Sequence, residues 1–111
     1  MKSFVVSTDW RGDGEMDHGW GNGYVVVEKG HPLHGKHYDY IYTTIHGGIT
    51  YCGELVPNDR FIDVINDDKY IGGWIFGFDT FHWQDTKETW PKHRVEEEAE
   101  RLKDILMNSE F

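Results

Sequence analysis

The chain has 111 residues, 20 acidic against 11 basic side chains, a net charge of −9 and a single cysteine. That length fits one domain around one core, and the charge excludes a general affinity for nucleic-acid backbones or an anionic membrane surface. Cys52 alone excludes an intrachain disulfide and a multi-cysteine zinc site. Only 38% of the residues are hydrophobic, but 15% are aromatic, and large rings bury much area each. No apolar run approaches the roughly 20 residues of a membrane span. Asp9 and Arg11 interrupt anything resembling a signal peptide, so a soluble intracellular domain is expected.

Residues 3–8 read as a first strand, rich in β-branched side chains. Residues 9–22, dense in Gly and Asp without apolar period, read as a loop. Residues 23–28 make a second strand, whose three consecutive valines imply burial on both faces. Residues 29–38, with Gly30, Pro32 and Gly35, read as a structured loop. Residues 40–46 and 49–55 are expected to pair as a hairpin across Gly47-Gly48, a dipeptide that supplies the positive φ angles of a tight turn. Such a sheet would be covered on one side and lined by aromatic and hydroxyl groups on the other. A short strand or helical turn is expected near 60–65. Residues 70–79 form a last strand, with Trp74, Phe76 and Phe78 on one face.

From Pro91 to about Met107 the pattern is helical. Val95, Ala99, Leu102 and Leu106 make one apolar stripe, and acidic residues fill much of the remainder. An acidic first half followed by Arg101 and Lys103 matches the helix dipole. The expected fold is α+β: a single domain over 1–111, with a mostly antiparallel sheet of four to five strands packed by one C-terminal helix.

Seven histidines dominate the chemistry. His31, His34 and His37 have a metal-like spacing, but Pro32 and Gly35 oppose the helix it needs, and capping of backbone groups is the plainer role. His46 sits at the Gly-Gly turn, and Asp79 and His82 follow the last strand. Should those ends meet, the three would hold a divalent metal with open positions or form an acid–base pair. The competing reading is an aspartate capping a turn and imidazoles bonding carbonyls. Cys52 reads as a small core residue, no nucleophile elbow occurs, and Gly21–Gly23 precedes a strand, so no dinucleotide fingerprint exists. No cofactor is expected.

Gly23-Tyr24-Val25 leads to Gly30-His31-Pro32-Leu33-His34-Gly35-Lys36. It is followed by Ile45-His46-Gly47-Gly48-Ile49-Thr50-Tyr51 and then Trp74-Ile75-Phe76-Gly77-Phe78-Asp79-Thr80-Phe81-His82. Over residues 23–82 this resembles a family of small bacteriophage-encoded proteins with the pattern GYV…GHPLYGK…HGGLTY…WWxGFDxxH. His34 stands where that pattern has Tyr, which counts against an essential ligand there, and Ile75 replaces a second Trp. The resemblance implies a phage or prophage origin and a role in the cytoplasm of the infected bacterium, without assigning catalysis.

The leading expectation is a non-enzymatic counter-defence protein that sequesters a small nucleotide-like immune signal. His46, Thr50, Tyr51, Asp79 and His82 would supply polar contacts, Trp74 would stack, and Lys36 and His31 would provide local positive charge. One alternative is an acidic inhibitor that covers a host nuclease or another host defence protein with its charged face. The other is a metal-dependent hydrolase using His46, Asp79 and His82. Neither direct nucleic-acid nor membrane binding is expected, and homo-oligomerisation is left open.

Overall fold

A computed structural model describes residues 1–8 and 18–108. The expected loop at 9–22 lies outside the described residues as far as residue 17, and its last two residues belong to a strand instead.

Four strands, β1 (Lys2–Ser7), β2 (Gly21–Val27), β3 (Tyr51–Glu54) and β4 (Trp74–Phe78), form one sheet in the order β1-β2-β4-β3. Every neighbouring pair is antiparallel, with Phe4 opposite Tyr24, Val25 opposite Phe76, and Cys52 opposite Phe76 on its other side. Among the described residues, two α-helices complete the fold, α1 (Ile62–Ile65) and α2 (Lys92–Asn108), beside short 3-10 turns at Tyr38–Tyr40 and Asp68–Tyr70. The α+β reading therefore holds.

The three valines of β2 are all fully buried, because alternate side chains feed two separate cores. Val25 and Val27 join Phe76, Phe78 and the α2 stripe of Val95, Ala99, Leu102 and Leu106. Tyr24, Val26 and Ile75 face the other way, onto Phe4, Leu55, Phe61, Ile65 and Tyr70. The second face of the sheet, expected to be lined by aromatic and hydroxyl groups, carries Phe4 and Tyr24 and is covered too. The cover is the α1 region, which Asn66 ends in a left-handed conformation at φ 49°.

The expected hairpin is only half present. Gly47 and Gly48 do adopt positive φ, 71° and 78°, and the Gly48 N–H bonds the Ile45 carbonyl at 2.8 Å. Residues 40–46, however, form no strand. Ile41 and Ile45, four apart, both turn into the α2-side core. The Thr44 carbonyl accepts from Arg101 Nη2 at 2.7 Å, so α2 takes a backbone group that a ladder would have used. The partner of β3 is β4 instead.

Helix α2 carries the predicted stripe but not the predicted charge order. Its first turn is Lys92, His93 and Arg94, and its last turn has no basic residue. The two cations lie over indoles rather than answering the dipole: Lys92 over Trp20 at 5.5 Å and Arg94 over Trp90 at 4.1 Å. Among the described residues, no helix is long and apolar enough to cross a membrane.

Candidate functional site

The site forms where β4 ends. Asp79 follows the last strand residue, and its Oδ1 accepts the Phe81 N–H at 3.1 Å, an Asx turn that bends the chain back. Thr80 fixes the bend from below: its buried hydroxyl donates to the Gly21 carbonyl at 2.6 Å. A second turn follows, with Gln84 in the left-handed region at φ 76° and the Asp85 N–H on the His82 carbonyl at 2.9 Å. This turn folds the Asp85 carboxylate onto its own loop, where Oδ2 accepts the His82 N–H at 3.0 Å.

His46 arrives from the Gly-Gly turn. Its backbone N–H donates to Glu98 Oε2 at 2.9 Å, and Glu98 is braced by Arg101 Nε at 2.8 Å. The imidazole packs on Trp90 with ring centroids 4.1 Å apart and stands perpendicular to His82 at 5.0 Å. Gly47 permits this approach, since a Cβ there would lie 2.3 Å from the His82 ring.

The two imidazoles converge on one carboxylate. His46 Nε2 lies 2.9 Å from both Asp85 oxygens, and His82 Nδ1 lies 2.9 Å from Oδ2. Asp85 is only 5% exposed. Burial alone would push its carboxyl up, but the hydrogen bonds from His46 and His82 outweigh that and hold it below the ordinary value. The other nitrogen of His82, Nε2, faces Asp79 Oδ1 at 3.3 Å. The second oxygen of Asp79 accepts the Thr50 hydroxyl at 3.0 Å. Thr50, Asp79, His82, Asp85 and His46 thus form one continuous polar chain across two segments.

Two cavities flank this chain. Beside Asp79 is a polar pocket of about 210 Å³, lined by Asn22, Tyr24, Thr50, Tyr51, Arg60 and Asp79. Beside His46 is a groove of about 440 Å³, bounded by Thr44, Trp90, Arg94, Glu98 and Arg101. Within the polar pocket, Asn22 donates to the Tyr24 hydroxyl at 3.2 Å, while its buried Oδ1 has no hydrogen-bond partner. Burial and the nearby Asp59 keep the Tyr51 phenol above its ordinary value, hence a hydroxyl at neutral pH.

The sequence-predicted residues divide into two places. His46, Thr50, Asp79 and His82 come together, and Tyr51 lines the adjoining pocket. Trp74, Lys36 and His31 do not join them. Trp74 opens β4, four residues before Phe78, which puts it about 13 Å from the site end at the rise of a strand. There its indole N–H donates to the Lys36 carbonyl at 2.8 Å, and the Lys36 ammonium lies over Tyr40 rather than the pocket. His31 Nδ1 accepts the Leu33 N–H at 3.1 Å.

His34 and His37 bond backbone as well, at Gly72 O and Asp39 N–H, so the three loop histidines serve separate backbone contacts. The metal trio also needs correction. The carboxylate between the two imidazoles is Asp85, and Asp79 stands behind His82. The signal was present as Asp79, His82 and Asp85 at intervals of three, a spacing that two consecutive turns bring to one point. Arg60 was missed too, because its loop carries no motif. No protein-family model, curated protein or solved structure matches the chain.

Proposed function

We propose that this is a phage accessory protein, acting in the cytoplasm of the infected bacterium, that binds and sequesters a small nucleotide-like immune signal. The observation that carries the reading is the polar pocket next to Asp79. Its wall offers an acceptor at Asp79, hydroxyls at Thr50, Tyr24 and Tyr51, and a cation at Arg60. A base or ribose edge presents donors and acceptors to match these groups. Drug-sized sites occupy about 300–1,000 Å³, so a pocket of about 210 Å³ takes one ring-sized group, with the rest of the ligand outside.

The acidic-inhibitor reading has less support from α2. Glu98 is bound by Arg101, and Glu100 by Lys103 and the Ser3 hydroxyl, so part of the helix's negative charge is already paired. Native mass spectrometry of protein purified from expressing bacteria tests the proposal. The expected result is a bound mass of nucleotide size that is released on denaturation and missing from Asp79→Asn. Bare wild-type protein that also shows no thermal shift with a panel of mono- and cyclic nucleotides would overturn it.

A further inference from the structure

We propose that His46, His82 and Asp85 bind one divalent transition-metal ion of the zinc class, with Asp79 as the outer carboxylate that orients His82. The site goes beyond the pocket reading and does not depend on it.

One donor atom from each of the three residues lies within 4.8 Å of the others, which places two imidazole nitrogens and a carboxylate oxygen around one point. Two nitrogens and one oxygen suit a tetrahedral zinc-class ion and leave a fourth position for water or a ligand atom.

A proton count on His82 gives the second, independent argument. Its Nδ1 faces Asp85 at 2.9 Å and its Nε2 faces Asp79 at 3.3 Å. A neutral imidazole has a single N–H, so one of these contacts would set a lone pair against a carboxylate. An ion shared by His82 Nδ1, His46 Nε2 and Asp85 removes that conflict and leaves Nε2–H for Asp79. A carboxylate behind a metal-bound histidine fixes its tautomer and raises its basicity, and Asp79 is itself held by Thr50.

The third argument is preorganisation. His46 is clamped by Trp90 on its ring and Glu98 on its backbone. The missing Cβ of Gly47 lets the two histidines meet, and Asp85 is fixed by the His82 backbone N–H. The competing state is an ion-free network in which His82 lies between the Asp79 and Asp85 carboxylates, and the experiment separates the two.

The full chain, without a histidine tag and stripped with chelator, is titrated with Zn²⁺ by calorimetry and with Co²⁺ by visible absorption. The expected result is one equivalent bound, with the d–d bands of a four- or five-coordinate ion. His46→Gln and His82→Gln each weaken binding by about 100-fold or more, and Asp79→Asn by about 10–100-fold. His93→Gln, on the exposed face of α2, changes nothing. Circular dichroism confirms that the variants fold. Wild-type protein without saturable binding, or binding retained in both His46→Gln and His82→Gln, overturns the proposal. So does binding lost instead in a His34→Gln/His37→Gln double variant.

Discussion

His46 and Asp85 are 39 residues apart in sequence, yet His46 Nε2 sits 2.9 Å from each oxygen of the Asp85 carboxylate. This contact joins a turn that precedes β3 to a loop that follows β4, and it closes one end of the sheet. A carboxylate as buried as Asp85 stays ionised only with donors on it, and His46 and His82 provide them. His82 links the same carboxylate to Asp79, which lines the pocket beside Thr50.

The two glycines of the turn should respond differently to a methyl group. Both have positive φ, so Gly47→Ala and Gly48→Ala share a backbone penalty of about 1 kcal/mol. At Gly48 the added Cβ meets nothing within 4 Å, whereas at Gly47 it would lie 2.3 Å from the His82 ring. Gly47→Ala is therefore expected to be the more destabilising by about 1–3 kcal/mol in urea unfolding, and to shift the His82 ring resonances. Equal losses for the two variants would show that His82 yields freely.

Glu98 ties α2 to the site, and its effect should depend on pH. Burial would raise its carboxyl, but the Arg101 bond and the His46 N–H outweigh it and bring the folded value below the ordinary 4.5. A depressed folded value means that the contribution is complete above the unfolded value and is lost as pH falls through the folded one. Glu98→Gln is thus expected to cost about 1–2 kcal/mol at pH 7, with the gap to wild type narrowing as pH falls below the ordinary 4.5. Urea midpoints at pH 7 and pH 3.5 measure it. A gap that stays constant with pH would mean that the amide loses packing rather than charge.

The elements most legible in the sequence were those whose pattern and packing agree. The stripe Val95, Ala99, Leu102 and Leu106 is helical and buried as written, and the valines of β2 lie between two cores. Residues 40–46 misled because β-branched alternation there looked like a strand, while the deciding interactions were distant ones. Arg101 bonds the Thr44 carbonyl and hydroxyl from 57 residues away, which no local pattern records. The meeting of His46 with His82 was a conditional reading of the turn and the strand end, since the hairpin arm expected to carry His46 is not a strand. For Asp85 the sequence offered only its interval of three from His82, and its place depends on Gln84 adopting a left-handed conformation, which its residue type does not announce. Trp74 and Lys36 were grouped with the site by residue type alone, and the direction of β4 separates them.

That separation gives a test of which end of the sheet binds. Thr50 is exposed and makes one side-chain bond, to Asp79, so Thr50→Val should leave stability nearly unchanged. It removes the donor that orients Asp79 in the pocket and a hydroxyl from its wall. Ligand affinity is therefore expected to fall by about 3–10-fold, the worth of one ordinary hydrogen bond. Trp74→Phe removes the indole bond to the Lys36 carbonyl at the opposite end, and affinity there should be unaffected. The two variants are compared by calorimetry with whichever nucleotide co-purifies. Loss of binding in Trp74→Phe with full binding in Thr50→Val would move the site to the His31–Lys36 loop and leave Asp79 a purely structural cap.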